Sequence, residues 1–223
     1  MFDPYTRKGR ILAAALGCAA KKSWADVTLL DIAESANLAM SELRDEFTTK
    51  TQLIADLLRA IDDEVLKRAA KRTEGQEKRD RLFDIIMTRF DVLGPHKAAL
   101  KSIYGSGAAD LSLALPYLSS QHWMLEAAGS STDGATGAIR TAGLGMAYAW
   151  VFRTWLEDDD PGLAKTMAAL DRRLRRGERA LGSIEHLNAA LSRFGAALGE
   201  LTRSTAGGRS KSSVPPGPEA GQV

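Results

Sequence analysis

Cysteine, histidine and long apolar runs are what this chain has least of. Cys18 is the one cysteine in 223 residues, so no internal disulfide can form. It falls among alanines, as a core residue in a reducing compartment would. The three histidines, His96, His122 and His186, lack ligand spacing, and no metal is expected. The most apolar run, residues 142–152, is closed by Arg153 and is too short to cross a bilayer. The start, MFDPYTRKGR, is polar, and the apolar stretch after it ends in Lys21-Lys22, unlike a secretory signal. A soluble, cytoplasmic protein is expected. There is no G-x-S-x-G, P-loop or H-E-x-x-H, and Gly143-Leu144-Gly145 sits in a helical pattern with no strand before it. Neither an enzyme nor a bound cofactor is expected.

Charge of one sign is also missing, since 30 Lys and Arg stand against 28 Asp and Glu. What is present is helix-forming sequence, long stretches of Ala, Leu, Arg and Glu at an ordinary apolar content of 44%. An all-α chain with a sizeable core follows.

The most informative stretch is residues 28–54, TLLDIAESANLAMSELRDEFTTKTQLI. Thr28 and Asp31 form a capping box, in which hydroxyl and carboxylate take up amides left unpaired at a helix start. Leu29, Ile32, Ala33 and Ala36 then share a face. Asn37 tolerates left-handed backbone angles and so can end the helix and turn the chain. A second short helix runs over 40–47 with Leu43 and Phe47 inward, and Thr49 with Gln52 launches a third, long helix. Helix, tight turn, exposed helix is the geometry of a helix-turn-helix DNA reader.

With the helix before it, this stretch resembles the N-terminal domain of TetR-family regulators. The matching residues are Arg10-Ile11-Leu12 with Ala13-Ala14, Ile32-Ala33, Leu43, Phe47 with Lys50 three residues on, and Leu53. The resemblance implies an all-α, TetR-like homodimer that binds operator DNA and responds to a small apolar ligand. Its parts would be a helix-turn-helix domain at 1–50 and a ligand-binding and dimerisation domain at 51–182. On that basis Lys50 would contact phosphate, Met40, Ser41 and Arg44 would face the groove, and Arg7, Arg10 and Thr28 would border it. Three departures stand out. Asn37 and Ala39 occupy positions where the family usually has glycine and serine, and Arg44 and Glu46 replace a tyrosine and a histidine. Glu42, Asp45 and Glu46 set three carboxylates against Arg44 on the recognition helix, and residues 1–54 hold seven basic and seven acidic residues. Carboxylates repel phosphate, yet a glutamate can accept from a cytosine amino group. Both a DNA reader and a TetR frame that no longer reads DNA fit.

Beyond residue 54 helices follow almost without interruption. Helices are predicted over 53–73, 79–93, 97–104, 109–128 with Pro116 kinking or dividing it, and 134–157. In the next helix Asp160 is expected as the cap and Pro161 as the first residue. Phe83, Ile86, Met87, Phe90, Trp123, Met124, Tyr148 and Phe152 supply apolar, polarisable surface for a ligand pocket, or else an ordinary core. The small residues of 134–157 allow close helix approach, and Leu163, Met167, Leu170 and Leu174 form a seam. By the same resemblance, residues 134–174, including Trp150, are the dimer surface.

The C-terminal half also resembles TetR-fold lipid-binding proteins of ubiquinone biosynthesis, through DRLFDIIMTRFD, HWMLEAAG and WLEDDDPGLAKTMAALDRR. That alternative implies an isoprenoid lipid as ligand and peripheral contact with the inner face of a membrane. Residues 183–203 read as an amphipathic helix with Ile184, Leu187, Leu191, Phe194, Leu198 and Leu201 on one side. The basic run Arg172-Arg173-Leu174-Arg175-Arg176 precedes it and could meet anionic headgroups or form an ion-pair network. Residues 204–223, rich in Gly, Ser and Pro, are expected to be disordered.

Overall fold

In the computed structural model, which describes residues 2–69, 74–107 and 111–182, the described residues are helices and short connections. They are α1 (Arg7–Lys21), α2 (Leu29–Ser35), α3 (Met40–Glu46), α4 (Lys50–Arg68), α5 (Lys78–Leu93), α6 (Lys97–Gly105), α7 (Ala114–Ala127) and α8 (Gly134–Leu156). A ninth, α9, covers residues 164–182. Met1–Gly177 form one compact unit. Of the second unit, Glu178–Val223, residues 178–182 are described and helical. The predicted helix at 183–203 and the tail lie outside the described residues.

Local chemistry sets most boundaries. The Thr28 hydroxyl accepts from the Asp31 amide at 3.1 Å, and Asp31 accepts in return from the Thr28 amide at 2.7 Å. Asn37 adopts φ +53°, the turn between α2 and α3. At α3 the missing hydroxyl of Ala39 is replaced from the other direction, because Glu42 Oε2 accepts from the Ala39 amide at 3.0 Å. The box at α4 is displaced by one residue: Thr49 accepts from Gln52, but Gln52 Oε1 reaches back to the Thr48 amide. Pro116 neither kinks nor divides the helix within its length. A 3₁₀ turn over Leu111–Leu113 precedes α7, and Pro116 lies in its first turn, where a missing amide hydrogen leaves no bond unmade.

The start of α9 corrects the expectation for Pro161. Pro161-Gly162 is a turn, Leu163 takes φ +52°, and the helix begins at residue 164. Asp160 still caps, accepting from the Ala164 amide at 3.1 Å. Asp158, buried, accepts from both the amide and the hydroxyl of Thr166, at 2.9 and 2.7 Å. Burial alone would raise its pKa, but those Thr166 bonds hold it below the ordinary carboxylate range.

Packing runs α1 on α2 and α6, α4 on α5 and α7, α5 on α7, and α7 and α6 on α8. One core joins Ile11, Ile32, Leu43 and Phe47 to Leu53, Ile61, Ile86, Phe90 and Trp155. At Gly145 a methyl group would stand 3.3 Å from the Tyr117 ring, so glycine there is what lets α7 lie close to α8.

Candidate functional site

Two groupings matter, a solvent-facing head built by α1–α3 and a buried polar network beneath a groove. In the head, Leu43 and Phe47 are buried against α1, which turns Met40, Ser41, Arg44 and Asp45 of α3 outward. Arg7 and Arg10 at the start of α1 and Thr28 at the head of α2 are exposed as well. Arg7 Nε lies 3.9 Å from Glu42 Oε1, which sets the basic entrance of α1 beside α3. Glu42, bonded to Ala39 and near Arg7, is one of the three α3 carboxylates and serves the helix start.

Lys50 is placed otherwise than the phosphate role implies. Its ammonium donates to the Trp24 carbonyl and, at 2.7 Å, to that of Val27, and it lies 4.6 Å from the centre of the Trp24 ring. Burial draws its pKa down. Trp24 is fixed from the other side, its amide donating to Ser102 Oγ of α6 at 2.9 Å. Lys50 therefore ties α4 to the loop before α2, and Ser102 ties that loop to α6. No sequence motif pointed to Ser102, because its partner lies 78 residues away.

The predicted pocket residues divide. Ile86, Phe90, Met124 and Tyr148 are buried, Phe83, Met87 and Phe152 partly so, and Trp123 is half exposed. Phe90 stacks on Tyr148 and on Trp155, with centroids 5.7 and 5.4 Å apart, and Tyr148 stacks on Phe152 at 5.9 Å. This aromatic stack fills the space between α5 and α8 with side chains.

Within it lies a network that hydrophobic patterning missed. Arg89, only 2% exposed, is ion-paired through Nη1 with Asp62 Oδ1 of α4, and its Nε donates to the Tyr148 hydroxyl of α8 at 3.0 Å. Ser120 of α7 donates to the same Asp62 oxygen at 2.7 Å. Burial opposes the Arg89 charge, but Tyr148 and Asp62 override it and its pKa is raised; burial likewise pushes the Tyr148 hydroxyl up. Tyr117 donates to the Gly145 carbonyl at 2.5 Å, and burial raises its pKa too. Gln121 Oε1, on a residue 1% exposed, accepts no hydrogen bond from a described residue. Above Asp62 an open groove of about 620 Å³ runs between α4 and α7, lined by Asp62, Asp63, Arg59, Leu115, Ser119 and Trp123 among others.

The dimer-surface residues also divide. Leu170 and Leu174 are 1% and 8% exposed and face their own core, which corrects their placement on a partner surface. Trp150 and Met167 face outward, Leu163 is half-buried, and Met146, at 68% exposed, joins Trp150 and Ile139 on the open side of α8. Arg173 lies 5.0 Å over the Trp150 ring and Arg175 pairs with Asp171 at 2.8 Å, so both already have contacts. The membrane-helix residues Ile184, Leu187, Leu191, Phe194, Leu198 and Leu201 are outside the described residues. No described helix is long and apolar enough to cross a membrane.

No family model matches the chain, and neither does any curated protein. Solved structures do. A TetR transcriptional regulator from Nitrosomonas europaea superimposes with TM-score 0.62 at 23% identity, over 78% of this chain and 98% of its own. One from Rhodococcus sp. RHA1 gives 0.58 at 19%, over 75% and 93%. A TetR-family regulator from Streptomyces coelicolor gives 0.56 at 16%, over 90% and 97%. The chain has the TetR fold. These likenesses lend no support to the quinone-biosynthesis alternative.

Proposed function

We propose that this TetR-fold chain is a homodimeric, ligand-responsive transcriptional regulator that binds operator DNA. The observation that carries this reading is the proximity of Arg7 to Glu42, which brings the exposed basic arm of α1 next to the outward face of α3. Arg7 and Arg10 supply phosphate contacts that position the head. Arg44, with Met40 and Ser41, supplies contacts to base edges, and Asp45 accepts from exposed cytosine amino groups. Lys50 acts behind this surface, holding the loop from which α2 starts. Two such heads on a two-fold dimer read half-sites whose spacing the ligand adjusts.

The test is binding of the purified protein to the DNA upstream of its own gene across a salt series, with random DNA as competitor. Selective binding that weakens steeply with salt is expected. Arg10→Ala should weaken every sequence alike and lower the salt slope by about one, whereas Arg44→Ala should relax selectivity. Equal affinity for upstream and random DNA would remove that operator as the target.

A further inference from the structure

Asp62 reaches the groove between α4 and α7 with half of its carboxylate already engaged. Oδ1 receives both Arg89 and Ser120. Oδ2 accepts from no described residue, and Asp62, its side chain 10% exposed, is part of the groove's lining. A carboxylate whose one oxygen is fixed by two donors while the other makes no bond is a preorganised acceptor, because little side-chain freedom is left to lose when a ligand binds.

The rest of the lining narrows the ligand. Asp63 adds an exposed carboxylate on the same helix, while Arg89, buried, faces Asp62 and Tyr148. The groove's own cation, Arg59, is 77% exposed at its side chain and lies 3.9 Å from Asp56. Opposite the carboxylates stand Leu115 and the half-exposed Trp123, an apolar and aromatic wall. Aromatic faces and carboxylates both attract a cation, and an anion would meet Asp62 and Asp63.

We propose that this groove binds a protonated amine with an apolar body, its N–H on Asp62 Oδ2 and its body against Trp123 and Leu115. Because Asp62 joins α4 to α5 through Arg89 and to α7 through Ser120, and Arg89 continues to α8, the amine pulls on the helix that Lys50 anchors to the DNA-reading head. This assignment rests on the ligand-responsive reading above.

The experiment is titration calorimetry of the full chain, without DNA, using 4-phenylbutylamine, the neutral 4-phenylbutan-1-ol and the anionic 4-phenylbutyrate. The amine should bind at least about tenfold more tightly than the alcohol, the expected scale for a charge-assisted bond, and the acid should bind weakest. Ser119→Phe narrows the groove without touching the network and should weaken the amine by at least a similar factor. Asp62→Asn should erase the preference for amine over alcohol; if that variant does not fold, Ser119→Phe alone decides. Equal binding of amine and alcohol, or amine binding unchanged by Ser119→Phe, would overturn the proposal. Selective operator binding without amine binding would leave the regulator and remove this ligand. Amine binding that meets these criteria without operator binding would do the reverse.

Discussion

Lys50, the first residue of α4, donates a hydrogen bond of 2.7 Å to the carbonyl of Val27, the residue before the cap of α2. With its second bond to Trp24, the ammonium closes a loop whose carbonyls would otherwise lack it as a donor. Lys50→Met should therefore destabilise the protein by about 1–2 kcal/mol, the scale of a charged hydrogen bond at a partly solvated site. In a thermal melt followed by circular dichroism the midpoint should fall by a few degrees, about 2–6 °C for a chain of this size. An unchanged midpoint with weakened DNA binding would return Lys50 to a phosphate contact.

Arg89 and Asp62 depend on each other. Arg89→Met leaves a buried carboxylate with Ser120 as its main donor, and should cost about 3–5 kcal/mol. Tyr148→Phe removes one acceptor from Arg89 and should cost less, about 1–2 kcal/mol. Asp62→Leu combined with Arg89→Met should recover much of the loss, since neither charge is then left alone. A double-mutant cycle in urea checks this, and additive losses would show that the pair is not coupled.

The open side of α8 carries Met146 and Trp150 in the apolar, small-residue setting that a helix pair needs. On the proposed homodimer, Met146→Glu should shift the protein from dimer to monomer in sedimentation velocity, and affinity for the proposed operator should fall with it because one head reaches one half-site. Leu170→Ala instead should lower stability by about 2–5 kcal/mol and leave the proposed dimer in place, since that side chain faces its own core. A variant Met146→Glu that stays dimeric would move the interface elsewhere.

Acid should loosen two helix starts. Lys22 and Thr28 hold the Asp31 carboxyl well below the usual carboxylate range, and the Thr166 bonds of Asp158 lower its pKa against burial. A carboxyl with a lowered folded pKa binds its proton more readily unfolded, so its contribution is complete above about pH 4 and is lost as pH falls through the lower folded value. Thermal midpoints should hold down to about pH 5 and drop below pH 4. Asp31→Asn should flatten that drop; if it does not, other carboxylates govern acid unfolding.

The sequence by itself determined the local structure, because helix starts and stops depend on residues a few positions apart. Thr28 and Asp31 form their box, Asn37 turns the chain at φ +53°, and Leu43 with Phe47 sets which face of α3 is outward. The TetR fold was legible for the same reason, its head being a run of such signals. Where a signal depended on a more distant partner, local reading went astray: Pro161 resembles a first helical residue, but buried Asp158 reaching Thr166 places the start at residue 164. Leu170 and Leu174 carry helical spacing that suits a partner or a core equally, and only packing decided for the core. Tertiary structure alone joined Lys50 to Trp24 and Arg89 to Asp62 and Tyr148, across 26, 27 and 59 positions. Arg89 reads in sequence as one solvated charge among many. Burial makes it a site, since a charge taken out of water persists only where fixed partners replace its hydration.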